Sequence, residues 1–172
     1  MKALVVYSSR TGNTEKIARA IHAAMPRGTG LAGPRDAPDP EGFDFIALGF
    51  WVDKGNADAQ SLEYIKKIRE KKVGLFMTLG ARPDSEHAKK CMNSVKALLE
   101  PRNTVIREFV CQGKIDPALT KMFESFPADH PHAMTDERRA RHEEAAKHPD
   151  ENDLARAAAC FENIAVEPEN PR

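Results

Sequence analysis

The sequence predicts an α/β fold: a doubly wound parallel sheet with helices on both faces. Two observations carry that prediction. Apolar runs of strand length recur along the chain, and segments with helical periodicity lie between them. A third agrees: the loops richest in small polar residues directly follow the apolar runs, where an open parallel sheet forms its ligand crevice.

The first strand is Ala3 to Tyr7, followed by a helix that repeats Ile17, Ile21 and Met25 on one face. Pro26 to Gly42 is rich in proline and glycine, leaving room only for a short edge strand near Gly28 to Ala32. The third strand, Phe43 to Phe50, is almost continuously apolar, as a strand covered on both faces must be. Leu62, Ile65 and Ile68 stripe the next helix. Val73 to Leu79 forms the fourth strand; Ala88, Cys91, Met92, Val95, Leu98 and Leu99 then share one helical face, and Val105 to Cys111 is the last strand. Lys114 to His148 is longer than an ordinary connection and reads as an insertion, with Thr135 to Lys147 charged enough for a solvated helix. The final helix is predicted over Pro149 to Val166, with Pro149 in the first helical position. Asp150, Glu151 and Asp153 occupy its first turn, and Leu154, Ala157, Ala158, Phe161 and Ile164 face inward. The 172 residues thus read as one domain carrying an insertion at about 114–148.

Composition narrows the function. Lys plus Arg number 26 and Asp plus Glu 26, so no net field draws in nucleic acid or an anionic membrane surface. The cysteines, Cys91, Cys111 and Cys160, form no CxxC pair, which points to a reducing compartment, the cytoplasm. MKALVVYSS is too short in apolar residues for a signal peptide, and no run reaches the roughly 18 needed to span a bilayer.

The chemistry falls in three loops, Ser8 to Thr14, Gly49 to Asp58 and Thr78 to Asp84. In the first, the hydroxyls of Ser8, Ser9, Thr11 and Thr14 join the amides of Arg10 to Thr14, including Gly12 and Asn13, at the start of a helix. Such an arrangement solvates a phosphate monoester; the plainer alternative is a well-capped helix. The loop lacks both GxxxxGKS/T and GxGxxG. Without the loop lysine and a magnesium-binding hydroxyl, it should hold a phosphate without transferring it.

VVYSSRTGNTEKIARAI resembles the first strand, phosphate loop and first helix of the flavodoxin family, whose loop (S/T)-x-T-G-x-T grips the phosphate of FMN. Here that loop is Ser9, Arg10, Thr11, Gly12, Asn13 and Thr14, with Ser8 beside it. IALGFWVDKGNAD and GLFMTLGARPDSEHAKKCMNSVKALL extend the resemblance more loosely, to about residue 116. It implies five parallel strands in the order 2-1-3-4-5, with FMN at the switch between strands 1 and 3. Within the family, the chain is most similar to flavodoxin-like proteins associated with bacterial bilirubin reduction.

The resemblance assigns the second loop, Phe50, Trp51, Val52, Asp53, Lys54 and Gly55, to the flavin ring. The Trp51 indole would stack on the ring unless it merely ends the third strand. Gly55 is free to take a positive φ, turning the Lys54 carbonyl toward flavin N5, or forms a simple turn. In the third loop Thr78, Leu79, Gly80 and Ala81 would hydrogen-bond the polar edge of the ring. Many flavodoxins place a tyrosine here, but no Phe, Tyr or Trp lies between Leu79 and Glu100. The acidic cluster usual around the flavin of a carrier is also missing.

Other residues read as ordinary structure. His130, His132, His142 and His148 fit a solvated surface better than a metal site, and His87, beside the third loop, fits a helix start better than a group that meets a flavin or donates a proton to a substrate. Cys91 fits the core, and the Asp136 to Lys147 run a solvated face. The resulting expectation is an FMN-binding electron carrier with redox partner proteins, monomeric or weakly dimeric, in which the insertion folds over the flavin edge or mediates dimerisation. The alternative is an FMN-dependent reductase, or reductase subunit, acting on a quinone or tetrapyrrole. A receiver module, which shares the topology, would need aspartates at the end of strand 1, where Tyr7, Ser8 and Ser9 stand.

Overall fold

The computed structural model describes residues 1–164. Five parallel strands form its sheet: β1 (Ala3–Tyr7), β2 (Gly30–Ala32), β3 (Phe45–Asp53), β5 (Lys72–Leu79) and β6 (Thr104–Gln112). A two-residue strand, β4 (Asn56–Ala57), pairs antiparallel with the end of β3. The order is β2-β1-β3-β5-β6, which is 2-1-3-4-5 once the parallel strands alone are numbered. The added β4 is the departure from expectation.

Alternation along the strands sorts the core into two layers. Leu4 and Val6 of β1, with Ile46 and Leu48 of β3, face α2 (Ala59–Ile65) and α3 (Glu86–Leu99), meeting Tyr64, Ile65, Cys91, Val95 and Leu99. Ala3, Val5, Phe45 and Ala47 point the opposite way, onto α1 (Asn13–Ala24) and α6 (Glu151–Phe161). There Phe161 meets Phe76 edge to face, with ring centroids 6.0 Å apart. Side-chain period two therefore decides which helix pair each strand residue supports.

Several boundaries differ from the sequence reading for local reasons. β3 runs past Phe50 because Phe50 and Trp51 pair with Met77 and Thr78 of β5, and the chain then returns through a hairpin. Its two turn residues, Lys54 and Gly55, have φ of 48° and 83°, the left-handed pair that a tight two-residue hairpin requires. Trp51, Val52 and Asp53 are thus strand residues rather than loop residues. Pro149 precedes the last helix instead of opening it. Asp150 is the cap, and its carboxylate and that of Asp153 each accept from the other's backbone amide. Residues 165–166 of the predicted final helix lie outside the described residues. The 114–148 segment, read from the sequence as an insertion, holds two helices, α4 (Pro117–Glu124) and α5 (Asp136–Ala145), of which only the second was expected.

Candidate functional site

The carboxyl ends of β1, β3, β5 and β6 open into a cavity of about 400 Å³ beside the point where the strand order reverses. Its floor begins at the turn between β1 and α1. Gly12 takes φ of 89°, which lets the chain double back into the helix. Ser9 Oγ accepts from the Gly12 amide (3.1 Å) and the Glu15 amide (3.3 Å), tying the turn shut. Among the described residues, the amides of Arg10, Thr11, Asn13 and Thr14 have no hydrogen-bond partner, so the positive end of α1 presents free donors at the cavity.

The side chains of this turn have divided duties. Thr14, 1% exposed, shares a 2.8 Å hydroxyl hydrogen bond with Thr78, linking α1 to β5. Asn13 Nδ2 donates to Thr11 Oγ1 (3.1 Å) and to the Lys114 carbonyl (2.9 Å). The second bond depends on Gly113, where a Cβ would stand 2.6 Å from Asn13 Nδ2. Arg10 lays its guanidinium 5.5 Å from the Trp51 ring centroid and pairs with Asp116 at 3.4 Å.

Of the residues assigned from the sequence, Arg10, Thr11, Asn13, Thr14, Trp51, Val52, Thr78, Leu79, Gly80 and Ala81 line the cavity together. Ser8, Ser9, Gly12, Phe50, Asp53, Lys54 and Gly55 are not among its lining residues. Ser8 is buried and donates its amide to the Gly49 carbonyl, while Ser9 braces the turn. Phe50, fully buried, turns its ring into the core because strand alternation sends its neighbour Trp51 to the other side. Asp53, Lys54 and Gly55 form the hairpin end described above.

The insertion supplies lining that the sequence reading missed: Lys114, Ile115, Asp116, Leu119, Phe123, Arg141 and His142. A signal for α4 was present. Asp116 followed by Pro117 is a strong helix start, and Leu119, Met122 and Phe123 follow at helical spacing. His142, expected at a solvated surface, is half-buried with Nδ1 2.9 Å from Thr120 Oγ1. Burial, then the neighbouring Arg141 and Arg138, holds its pKa below the usual histidine value, favouring neutral imidazole. His87 also lines the cavity, with Nε2 3.6 Å from Cys91 Sγ. Burial pushes the Cys91 thiol up, which keeps it protonated. His130 and His132 are held by rings, His130 stacking on Phe126 and His132 on Phe123.

The end of the insertion is clasped to α6. His148 Nδ1 lies 2.5 Å from Asp153 Oδ2, and the His148 carbonyl accepts from the Lys114 amide (3.0 Å). The hydrogen bond to Asp153 raises the His148 pKa. Burial alone would raise that of Asp153, but the bonds from His148 and the Asp150 amide outweigh it and hold it below the usual carboxylate value. Asp153 also helps to push the neighbouring Cys111 thiol up to about 12, after burial as the main cause.

A flavodoxin domain model matches residues 4–162, nearly the whole chain. The chain belongs to the flavodoxin domain family. Among relatives of this flavodoxin domain is the flavodoxin-like domain-containing protein BilS of Clostridioides difficile (strain CD3), 31% identical, covering 96% of this chain and 97% of that protein. The BilS protein of Clostridium symbiosum (strain WAL-14163) is 28% identical, covering 90% and 91%. Solved structures share the fold. A flavodoxin from the domain Archaea superposes with a TM-score of 0.62 at 16% identity, covering 96% of each chain. Oxidised flavodoxin 2 from Bacillus cereus gives 0.57 at 18% identity, covering 94% and 97%.

The flavodoxin-domain cavity fits FMN on its own chemistry. The free amides and the Thr11 hydroxyl at the start of α1 would hold its phosphate, and Trp51, Val52 and the strand end Thr78–Ala81 would hold its flat ring. FMN is the cofactor of this flavodoxin domain.

Proposed function

We propose that the protein is an electron-transfer flavodoxin that receives electrons from a reductase and passes them to an acceptor protein, working as a monomer or weak homodimer. One observation carries the reading: a single cavity joins a helix end with free amide donors to an apolar wall at the strand ends. Bound FMN supplies one- and two-electron chemistry. The chain's own residues do the rest. Free amides at the start of α1 hold the phosphate. Trp51 and Val52 keep water from the ring, and backbone groups of Thr78 to Ala81 orient its polar edge. The Ser9 to Thr14 loop carries no lysine of its own, so the phosphate is a handle and not a reacting group.

A second reading is a reductase, or reductase subunit, that delivers hydride to a quinone or a bilirubin-like tetrapyrrole. It draws support from two imidazoles on the cavity wall, His87 and His142, which are suited to move a proton to a substrate. The resemblance to the bilirubin-reduction group, to which the BilS relatives add weight, supports it as well. Anaerobic reduction of the FMN-loaded protein, followed by its visible spectrum, separates the readings. A carrier gives two resolved one-electron steps, a hydride donor bleaches in one two-electron step, and a protein that takes up no FMN defeats both.

A further inference from the structure

We propose that the α4–α5 insertion is the cover of the flavin ring, with Phe123 and Leu119 meeting its face; this rests on the FMN reading above. The third loop offers no Phe, Tyr or Trp between Leu79 and Glu100, so the strand ends leave one side of the ring without an aromatic partner. Phe123 stands on the cavity wall contributed by α4. Its ring is braced by the Arg138 guanidinium, 5.4 Å from the centroid, and by the His132 and His142 rings at 6.2 Å and 6.1 Å. Beside it Leu119 also lines the cavity while remaining 39% exposed.

This wall is poorly anchored apart from its ends. No residue of α4 is fully buried, and α5 buries only Ala145. The root of the insertion, by contrast, is tied to the phosphate turn, through Asn13 to the Lys114 carbonyl and Arg10 to Asp116, and Ile115 packs where a Cβ on Gly80 would stand 2.6 Å away. An apolar wall left open toward a cavity gains burial when a flat ring seats against it. The order of α4 and α5 is therefore coupled to the ring, and that of the Ser9–Thr14 turn to the phosphate.

Amide hydrogen exchange on the full chain tests the coupling, with FMN, riboflavin and ribose 5-phosphate as separate probes. FMN and riboflavin slow exchange in α4 and α5, whereas ribose 5-phosphate slows only the turn before α1. Phe123→Ala weakens FMN and riboflavin by the same factor, about fivefold to tenfold. Phe123→Leu, which keeps an apolar side chain, recovers part of that loss and controls for folding. FMN uptake with unchanged exchange in α4 and α5, or with unchanged affinity in Phe123→Ala, overturns the proposal while leaving the FMN reading intact. Absence of FMN uptake by the unaltered protein instead removes the functional reading beneath it.

Discussion

Small residues at the cavity mouth act by what they leave open. The Thr11 hydroxyl accepts from Asn13 Nδ2 and keeps its own proton for a ligand. Thr11→Val removes that donor, and the expected result is FMN binding weakened about tenfold or more, as for a hydrogen bond to a charged group. Riboflavin, which has no phosphate, should bind unchanged in the same fluorescence titration; equal losses would make the turn's role structural only. Gly49 works by making room. A Cβ there would stand 2.0 Å from the fully buried Phe76 ring, which has no space to retreat. Gly49→Ala is expected to cost about 3 kcal/mol in urea unfolding, at the upper end of overpacking. Gly42→Ala, with nothing within 4 Å of the new Cβ, should stay within about 0.5 kcal/mol.

Helices α5 and α6 are joined by a charge pair whose strength depends on pH. His148 faces Asp153 at 2.5 Å and Glu144 at 3.6 Å, and both carboxylates favour its protonated form. Because the folded pKa is raised, its contribution is complete below the unfolded value of about 6.5 and is lost as pH rises through the folded value. His148→Gln is therefore expected to lower stability by about 1 kcal/mol near pH 5.5, with the difference shrinking toward pH 9. A difference in melting temperature that does not change with pH would rule this out. His142 behaves in the opposite sense. Its pKa is lowered by burial and by Arg141, Arg138 and Arg139, against Glu124, so its contribution is complete above about 6.5 and declines in acid. It is held between Thr120 and Phe123, and the melting temperature of the protein is expected to fall as pH drops below about 6.5. His142→Asn should flatten that titration; an unchanged slope would show that another group controls it.

Binding and folding are linked because the cavity joins parts distant in sequence: the turn before α1, the ends of β3 and β5, and the insertion. A ligand that bridges them stabilises only the folded chain. FMN at about a hundred times its dissociation constant is expected to add about 2.7 kcal/mol and to raise the melting temperature by roughly 5 to 10 °C. Ribose 5-phosphate, reaching only the turn, should shift it far less, and equal shifts would mean that the ring makes no net contribution. No described helix is long and apolar enough to cross a membrane.

Much of this architecture was legible because it depends on local pattern. The apolar runs at Ala3 to Tyr7 and Val73 to Leu79 are unbroken by proline, and Ile17 and Ile21 or Val95 and Leu99 repeat at helical spacing, so strands and helices follow from period alone. The Ser9 to Thr14 turn was legible for the same reason, since small residues that need a positive φ and free amides are adjacent in the chain. By itself, then, the sequence determined the alternation of elements, the Ser9 to Thr14 turn before α1 and the family resemblance. Tertiary structure alone decided that Phe50 is core while Trp51 faces the cavity, since this rests on register with Met77 and Thr78. It also decided that Phe123 and His142 line the same cavity as Gly80. Those contacts join residues far apart in the chain, and no local periodicity records which insertion folds back over which strand end.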